Sequence, residues 1–385
     1  MRIAILHVGD LRSLALGGVD QYIKNIIRLK GENQISVFGV TVKGEYEIGK
    51  HYNIKGNNLE YTFIPVSDDS HRPLTLGYIK QIKKYSSVLE QYDVIYSQRI
   101  EPTLPFWNKK IIRSKLIQVV HGSSYYTTMH WGKLKTLVYG FFEEESIRIA
   151  KKTNIVLMRE EFGVPYYKKK YSKYSSKIGY AKIPVNTDIF KHLEKQNCRK
   201  ELGLPNNKFI ILYGGRVEND PKRVLLLPEI IKKLISNNQG VYLVIIGDGT
   251  DLVRLTNELR ESVGEEYFLS VGYIENRETF VKYLNSCDVN INISEFEGTC
   301  TSSLEAIACG CRILSTDVGD IRLFVVDEKD GYIIKNESSS IIDDSVKAIE
   351  NMISQTMTSS DLYKNYECGK VVDDLFIEMK TLVSK

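Results

Sequence analysis

One stretch of the sequence decides the fold: residues 288–310 read Asp-Val-Asn-Ile-Asn-Ile-Ser-Glu-Phe-Glu-Gly-Thr-Cys-Thr-Ser-Ser-Leu-Glu-Ala-Ile-Ala-Cys-Gly. Residues 288–293 alternate between polar and apolar side chains, as a β-strand does. Residues 304–309 are good helix formers and precede Gly310, which indicates a helix that ends there. A strand, a turn of small residues and a helix in this order direct backbone N–H groups and the positive end of the helix dipole towards an anion.

Two carboxylates, Glu297 and Glu305, stand eight positions apart on either side of this turn. Glu305 is expected about one turn into the helix, and Glu297 at the end of the strand, on the other side of the same crevice. Two acids beside a phosphate-binding turn suit a phosphate flanked by polyhydroxylated rings, so the pattern favours a nucleotide sugar. The alternative is a solvated helix cap with an exposed charged face.

Length and composition are those of a globular protein with two domains. The chain has 385 residues, 43% of them hydrophobic and 26% charged. It contains no run of eighteen apolar residues, and its first residues form a short strand without the features of a signal peptide. Six cysteines without a Cys-x-x-Cys pair argue against a disulfide framework or a zinc site. These features predict a cytoplasmic protein.

Charge is distributed unevenly, although the whole chain carries only +4. Residues 1–186 hold 29 Lys and Arg against 16 Asp and Glu, whereas residues 187–385 hold 23 against 32. The basic clusters at 109–115 and 166–173 mix cations with apolar or aromatic neighbours, which favours contact with anionic lipid headgroups or a phosphorylated acceptor. Drift in surface composition is the alternative. No nucleic-acid-binding module is visible, so nucleic acid is not predicted as a partner.

Strand-like and helix-like segments alternate along the chain, which predicts parallel sheets covered by helices. The predicted strands are 2–8, 34–42, 93–97, 115–121, 154–158, 209–213, 241–246, 267–271, 289–293 and 312–315. A polar, turn-rich segment at 187–206 interrupts the alternation and is predicted to be a hinge. The expected architecture is a first domain at 1–186 and a second at 207–364, with ligand bound at the carboxyl ends of the strands.

The residues around Glu297 and Glu305 resemble the donor-site motif of a known family. The Glu-x7-Glu spacing, the Glu-Gly start and the Leu-Glu-Ala-Ile-Ala-Cys-Gly continuation at 304–310 are similar to those of retaining glycosyltransferases of the glycogen-synthase-like, group 1 or GT4 type. In that family the second Glu holds the donor ribose, and the first contacts hydroxyls of the transferred sugar. The resemblance therefore implies Glu305 for the ribose and Glu297 for the sugar.

The resemblance also implies the GT-B fold, an α/β fold in which two Rossmann-like doubly wound domains face each other across a cleft. The first domain, 1–186, is then expected to bind the acceptor, and the second domain, 207–364, the donor. A last helix at about 365–385 is expected to pack back on the first domain.

A cationic pair follows the first strand of the second half. Tyr213-Gly-Gly-Arg216 ends that strand, and Lys222 comes six residues later. Arg offers a planar fork for phosphate oxygens and Lys adds a point charge, so the pair suits a departing diphosphate. The spacing, with Gly215 beside Arg216, resembles the phosphate-binding pair of the family. Arg223 is the alternative to Lys222.

The turn between the two carboxylates is the predicted cradle of the donor. Its residues Gly298, Thr299, Cys300 and Thr301 are expected to present backbone N–H groups to the diphosphate. The family usually has Phe-Gly after Glu-Gly, whereas Thr299 and Cys300 stand here. This departure leaves the identity of the donor sugar open.

Two other loops of the second half carry recognisable patterns. Gly-Asp-Gly at 247–249 follows a strand, but the third glycine of a dinucleotide fingerprint would fall on Leu252, which disfavours a dehydrogenase. Tyr273 and Ile274 resemble the loop in which backbone groups of the family meet the nucleobase.

In the first half, Gly17 and Gly18 follow the first strand and open a helix, where backbone N–H groups can approach a phosphate. The family places such a glycine loop near the donor diphosphate. His121 ends a later strand and resembles the family's histidine beside the transferred sugar, with a core or capping histidine as the alternative. Residues at comparable strand ends are acceptor-side candidates: Asp10, Arg12, Gln98 and Arg99.

The combined prediction is a retaining hexosyltransferase that moves a sugar from a nucleoside diphosphate sugar, UDP favoured, to a glycan or lipid-linked acceptor in cell-envelope polysaccharide synthesis. The predicted catalytic residues are Arg216, Lys222, Glu297 and His121. No cofactor or metal is expected. The predicted location is the cytoplasm, with peripheral association at an anionic membrane surface through the basic first half. Three alternatives stay open: a non-catalytic nucleotide-sugar-binding protein of a membrane assembly, a GT-B-type sugar-nucleotide epimerase, and synthesis of a sugar phosphate or glucan on the same scaffold.

Overall fold

The structure is a computed structural model that describes residues 1–12, 18–56, 58–70, 73–122, 128, 132–237, 240–355 and 361–384. The chain divides into two compact units, each built on one sheet. The first unit joins two separate pieces of chain, Met1–Pro184 and Cys368–Lys385, and the second is Val185–Glu367.

The first unit contains an eight-stranded sheet in the order β3-β4-β2-β1-β5-β6-β7-β8. Every neighbouring pair is parallel except β3 and β4, which are antiparallel. The strands are β1 Arg2–Leu6, β2 Gln34–Thr41, β3 Tyr52–Gly56, β4 Leu59–Asp68, β5 Val94–Ser97, β6 Leu116–Val120, β7 Lys152–Ile155 and β8 Ile178–Tyr180. Central β1 is an apolar run buried on both faces, as expected where helices cover a parallel sheet.

Helices cover this sheet and close its core. They are Gly18–Arg28, Leu74–Ile82, Ser86–Leu89, Lys110–Lys115, Lys133–Ile149, Val164–Lys170 and Cys368–Val383. Short 3-10 helices occur at Lys83–Tyr85, Glu101–Phe106 and Ser172–Lys177. The C-terminal helix contributes Val372, Phe376 and Met379 to the same hydrophobic core as β1. The last helix therefore packs on the first unit.

The second unit contains a six-stranded parallel sheet in the order β11-β10-β9-β12-β13-β14. Its strands are β9 Phe209–Gly214, β10 Val241–Ile246, β11 Phe268–Gly272, β12 Val289–Asn292, β13 Arg312–Thr316 and β14 Gly331–Ile334. Its helices are Lys195–Leu202, Asn219–Lys222, Leu227–Ser236, Leu252–Ser262, Arg277–Ser286, Thr301–Ala308 and Ile341–Ser354. Its 3-10 helices are Val224–Leu226, Glu265–Tyr267, Ile321–Leu323 and Leu362–Tyr366.

Both sheets have the strand order of doubly wound nucleotide-binding folds. In the second unit the order reverses between β9 and β12, and in the first unit between β1 and β5. Ligands of such sheets bind in the crevice beyond the carboxyl ends of the strands at this reversal. The prediction of two Rossmann-like α/β domains is confirmed, and the loops after β9 and β12 are the first place to search for a site.

The segment 187–206, predicted to be a hinge, lies within the second unit and contains the helix Lys195–Leu202. Arg199 of this helix donates to Asp288, immediately before β12, over 2.6 Å, and both side chains are largely buried. The polar residues that suggested a hinge therefore include Arg199, which attaches this helix to the sheet. The chain crosses between the units at residues 184–185 and 367–368.

All ten predicted strands are present, but four strands were missed. β8 has only three residues, too few to show a period of two, and β14 has the sequence Gly-Tyr-Ile-Ile, which does not alternate between polar and apolar residues. β3 is an exposed edge strand whose pattern is not that of a core element. β4 offered a usable signal, because its central residues 61–66 form a largely apolar run that is mostly buried.

Candidate functional site

The loops after β9 and β12 bring two predicted residues into contact. The Lys222 Nζ lies 2.5 Å from the Glu297 Oε1, and each side chain is about one-fifth exposed. The backbone supports this approach, since the N–H of Glu295 donates to the Pro221 carbonyl over 2.8 Å. The sequence separates these two side chains by 75 positions, and the strand order brings them together.

The Glu297 carboxylate is held by the end of β12. The Ser294 Oγ lies 2.7 Å from the Glu297 Oε1 and 2.7 Å from the Asn292 Oδ1. The Thr316 hydroxyl of β13 donates to the Ser294 carbonyl over 2.7 Å. Because Ser294 and Thr316 are buried, these bonds fix the position from which Glu297 reaches the crevice. Ser294 was not predicted, although its place three residues before Glu297 was available as a signal.

Arg223, the sequence alternative to Lys222, faces a different partner. Its guanidinium donates to the Asn336 Oδ1 over 2.5 Å, and Asn336 donates in turn to the Glu295 carbonyl over 2.7 Å. Arg223 therefore stabilises the loop that follows β12, and Lys222 is the cation at Glu297.

Arg216 lies in the loop after β9, and its side chain is more exposed than that of Lys222. Its guanidinium donates to Glu218 over 2.6 Å, and its side chain is 66% exposed. The buried Tyr213 hydroxyl donates to the Arg216 carbonyl over 2.5 Å and fixes the backbone while the guanidinium stays in solvent. Arg216 thus has an anchored backbone and a side chain free to reorient from a weak surface pair.

The Gly-Asp-Gly pattern at 247–249 has a packing role. The N–H of Gly215 donates to the Ile246 carbonyl over 3.0 Å, and that of Val217 to the Asp248 carbonyl over 2.9 Å. A Cβ at Gly247 would lie 1.8 Å from the Gly215 carbonyl oxygen, and Gly247 has a φ of +137°. Only glycine lets the loops after β9 and β10 lie this close, which explains the motif without a dinucleotide.

The turn before the helix Thr301–Ala308 is closed on itself. The N–H of Thr301 donates to the Thr299 carbonyl over 2.7 Å, so this N–H group is engaged within the turn. Cys300, where the family has glycine, is buried and its Sγ lies 3.6 Å from the Val318 carbonyl. The Gly298 carbonyl packs against Gly319, where a Cβ would come within 1.9 Å of it. The unusual cysteine is accommodated beneath the turn.

Glu305 lies in the helix that follows the turn, one turn from its start as predicted. Desolvation by burial raises its pKa to about 7, and Arg277 opposes that rise only in part. A carboxyl group with this pKa is half ionised near neutral pH and gains most from a partner that donates hydrogen bonds to it. Ribose hydroxyls are such donors.

Tyr273 and Ile274 follow β11 at the edge of the sheet. The Tyr273 side chain is 67% exposed, whereas Ile274 packs against the core below. β11 is separated from β9 by β10, so these residues lie further from Lys222 than the loops after β9 and β12 do.

In the first unit, His121 lies in a polar cluster at the carboxyl ends of three adjacent strands. Its Nε2 lies 2.9 Å from the Gln98 Oε1, so Nε2 carries the proton and Nδ1 is left as an acceptor. The Tyr22 ring packs edge-on against the His121 ring, with the two ring centroids 5.3 Å apart. Desolvation and the nearby His7 lower the pKa of His121 to about 3, against the raising effect of Asp20. His121 is a neutral hydrogen-bonding group at physiological pH.

Two members of this cluster, His7 and Asp20, were not predicted. The His7 Nε2 lies 2.8 Å from the Asp20 Oδ1, and His7 follows β1 as Gln98 follows β5 and His121 follows β6. That equivalence of position was visible in the sequence. The buried Gln98 Nε2 has no hydrogen-bond partner within the described residues.

The other first-half candidates are the glycines before the first helix and the charged residues that follow strands. Gly18 begins the helix Gly18–Arg28 as predicted, and Gly17 lies outside the described residues. Arg12 is held by Asp10 and Glu45 and stacks 4.2 Å above the Tyr46 ring. Arg99 pairs with Glu101 at 3.2 Å. Asp10 and Arg12 therefore have an evident structural role in joining loops of the first unit.

Residues 194–367 match the family described as glycosyl transferases group 1. The match spans β9 to β14 and contains Arg216, Lys222, Glu297 and Glu305. The second unit of the chain, at residues 194–367, belongs to the glycosyltransferase group 1 family. The resemblance derived from the Glu-x7-Glu motif is thereby confirmed, and the protein is a glycosyltransferase.

Relatives of this glycosyltransferase cover most of its length. It is 23% identical over 307 residues to a lipopolysaccharide 1,2-N-acetylglucosaminetransferase of Salmonella typhimurium, covering 75% of this chain and 77% of that protein. It is 24% identical over 345 residues to an Escherichia coli UDP-Gal:alpha-D-GlcNAc-diphosphoundecaprenol alpha-1,3-galactosyltransferase, covering 81% and 85%.

Solved structures show the same fold. Sucrose-phosphate synthase from Thermosynechococcus elongatus superposes with a TM-score of 0.79 at 15% identity, over 100% of this chain and 99% of that one. Anabaena HepE in complex with UDP superposes with a TM-score of 0.73 at 14% identity, over 99% and 100%. The fold is that of the GT-B glycosyltransferases, as predicted.

The described residues bear on two remaining predictions, membrane association and independence from metal. None of the described helices has both the length and the apolar character needed to cross a bilayer. Within the same residues, no group of three His, Cys, Asp or Glu side chains is arranged to hold a metal ion. Independence from metal stays a prediction that only an assay tests.

Proposed function

We propose that this glycosyltransferase moves a sugar from a UDP-sugar to a glycan or lipid-linked acceptor of the cell envelope, with retention of the anomeric configuration. The observation that carries the proposal is the contact of Lys222 with Glu297 at the strand-order reversal of the second sheet. A cation for a leaving diphosphate and a carboxylate for sugar hydroxyls stand side by side there, as a nucleotide sugar requires.

The roles follow from the chemistry of each group. Lys222 and Arg216 would stabilise the negative charge that develops on the diphosphate as the anomeric C–O bond breaks. Glu297 would accept hydrogen bonds from the transferred sugar, and Glu305 from the ribose. His121 would accept a hydrogen bond from a sugar hydroxyl at Nδ1, and its lowered pKa makes it too weak a base to take the hydroxyl proton.

Retention follows if the acceptor hydroxyl attacks from the face that the diphosphate leaves. The new anomeric C–O bond then forms on the side where the old one breaks, and the hydroxyl proton passes to the departing diphosphate oxygen. No covalent enzyme intermediate is needed in this sequence of events. Neither a metal ion nor a cofactor is part of the proposal, because Lys222 and Arg216 supply the positive charge.

The choice of UDP and of the acceptor class is supported by the relatives. The Escherichia coli relative is named for UDP-Gal and a diphosphoundecaprenol acceptor, and the Salmonella relative for lipopolysaccharide. The basic composition of residues 1–186 supports an anionic acceptor, such as a lipid-linked diphosphate, on the first unit.

The test begins with thermal denaturation of the wild type, Glu305→Ala and Arg216→Ala with UDP, GDP, ADP and their sugars. We expect UDP to raise the Tm of the wild type and to do so less in both variants. UDP-sugars that stabilise the protein are then incubated with lipid-linked diphosphate saccharides, and the product anomer is assigned by NMR. Binding without transfer or hydrolysis would favour the binding-protein alternative, and an inverted product would exclude the retaining mechanism.

A further inference from the structure

The helix Lys133–Ile149 of the first unit exposes apolar side chains on its solvent face. The exposed residues are Leu134, Leu137, Val138, Phe141 and Phe142, between 45% and 76% accessible. Their spacing of three or four positions places them in one stripe along the helix. The opposite face of the same helix carries the buried Glu143 and Ile147. The helix is therefore apolar towards solvent, the reverse of an ordinary surface helix, and contiguous exposed apolar surface marks an interaction site.

A basic concavity lies at the C-terminal end of the same helix. It has a volume of about 420 Å³ and is lined by four cations and no carboxylate: Lys110, Arg113, Lys151 and Lys177. The Lys177 Nζ is fixed by the carbonyls of Arg148 and Ala150 at 3.0 and 2.8 Å. Burial first, and then the surrounding cations, lower the pKa of Lys177. Cations crowded in this way gain from an anion that lies between them.

Arg113 connects the concavity to further exposed apolar side chains. Its guanidinium donates to the Ile149 carbonyl over 3.4 Å and to the Trp107 carbonyl over 3.2 Å. Trp107 and Ile111, on the segment that leads into the concavity, are 56% and 52% exposed. Tryptophan beside cations is the composition of a protein surface at a membrane–water interface.

We propose that the apolar stripe and the basic concavity together form a docking face for a lipid bilayer with anionic headgroups. The stripe enters the boundary between headgroups and acyl chains, and the four cations bind headgroup phosphates. This inference concerns a surface of the first unit and does not depend on the donor site. The proposal assigns the predicted membrane association to the residues of the stripe and the concavity.

Charge complementarity selects the bilayer over a second copy of the chain. A second copy would bring identical cations together, whereas an anionic bilayer neutralises them and buries the stripe in one event. The three acids of the same helix do not reverse this balance. Glu143 is buried and paired with Lys170 at 3.0 Å. Glu145 is paired with Arg148 at 2.6 Å, and Glu144 adds one exposed negative charge.

The test measures co-sedimentation of the full chain with vesicles of phosphatidylcholine alone and of phosphatidylcholine mixed equally with phosphatidylglycerol. We expect binding to the mixed vesicles only. Lys110→Gln with Lys151→Gln should reduce the partition coefficient about 25-fold, at about fivefold per cation. Leu137→Ser with Phe141→Ser should reduce it by roughly tenfold or more for each side chain. Matched controls in the second unit, Lys200→Gln with Lys232→Gln and Val253→Ser, should bind as the wild type does.

Three results would overturn the proposal of a docking face. They are no binding of the wild type to either kind of vesicle, equal binding to both kinds, or reduced binding of the second-unit control variants. A wild type that is dimeric without lipid and becomes monomeric in the Leu137 and Phe141 variant would assign the stripe to a second copy. A cooperative thermal unfolding transition at the wild-type Tm, recorded without ligand, shows that each variant is folded. If UDP stabilises no protein while vesicle binding follows the expected pattern, only the donor-site proposal fails.

Discussion

Lys222 and Glu297 neutralise each other: the Lys222 Nζ lies 2.5 Å from the Glu297 Oε1, with the Ser294 Oγ 2.7 Å from the same oxygen. In the proposed reaction the lysine serves the diphosphate and the carboxylate serves the sugar. A donor that engages both exchanges an internal ion pair for two charge-assisted contacts. Substitution of Lys222 should therefore affect the diphosphate, and substitution of Glu297 should affect the sugar. The first two predictions test this difference.

Lys222→Ala removes a cation from the leaving group. We expect the kcat of sugar transfer to fall about 10²- to 10³-fold, the loss of about 2.7–4 kcal/mol that follows removal of one oxyanion donor. Steady-state kinetics with the UDP-sugar identified by thermal denaturation measures it. Lys233→Ala, which removes an exposed surface pair with Asp343, is the matched control and should keep its kcat. A wild-type kcat in Lys222→Ala would remove the lysine from the mechanism.

Glu297→Gln removes the charge that holds Lys222 and keeps the shape of the side chain. Released from its pair, Lys222 is available to phosphate, so UDP should bind at least as tightly as to the wild type. The UDP-sugar should lose transfer, because the amide offers sugar hydroxyls one acceptor oxygen in place of two. Calorimetric titration of UDP and kinetics with the UDP-sugar separate the two effects. Equal weakening of both ligands would contradict the assignment of Glu297 to the sugar.

Glu305 gives the stability of the second unit a pH dependence. Burial raises its folded pKa to about 7 from the ordinary 4.5, so the native state retains a proton that the unfolded chain loses between these values. The free energy of unfolding should therefore fall as the pH rises from about 4.5 to 7, by up to about 3 kcal/mol, and then level off. Glu305→Gln should unfold at a higher Tm than the wild type at pH 8 and at nearly the same Tm at pH 4.5. Parallel pH curves for both proteins would show that Glu305 is not the cause.

Gln98 and His121 predict a pH profile. Because the pKa of His121 is lowered to about 3, the wild-type transfer rate should show no step due to this histidine above pH 5. Gln98→Glu places a carboxylate 2.9 Å from the ring and should raise the pKa of His121 by about 1–3, which adds an acid-side step. NMR of the imidazole nitrogens follows the same titration, and Gln98→Asn, which keeps the amide, should leave the profile unchanged. A step near pH 6.5 in the wild type would mean that His121 titrates normally.

Metal independence is tested by chelation. With Lys222 and Arg216 supplying the positive charge, transfer should continue in excess EDTA at the untreated rate, and added Mg²⁺ or Mn²⁺ should not increase it. Loss of transfer in EDTA, restored by one of these ions, would show that a metal ion takes part.

Much of the site was predictable because it is local. The stretch 288–310 contains its own strand, turn and helix, so the positions of Glu297 and Glu305 relative to the turn follow from residue type and spacing. The segment 187–206, predicted to be a hinge, lies within the second unit for a physical reason. Polar residues such as Arg199 form buried ion pairs with the sheet. Composition alone does not distinguish a segment whose polar residues are solvated from one whose polar residues form such pairs.

By itself, the sequence determined the fold class, the family and the identity of the charged residues, because hydrophobic periodicity and short motifs act over a few residues. The tertiary structure alone decided which of those residues meet. It put Lys222 and not Arg223 on Glu297, made Gly247 a packing glycine, and set His7 and Gln98 beside His121. It also turned an apolar helix face to solvent. These contacts depend on strand order and burial, which join positions far apart in the chain.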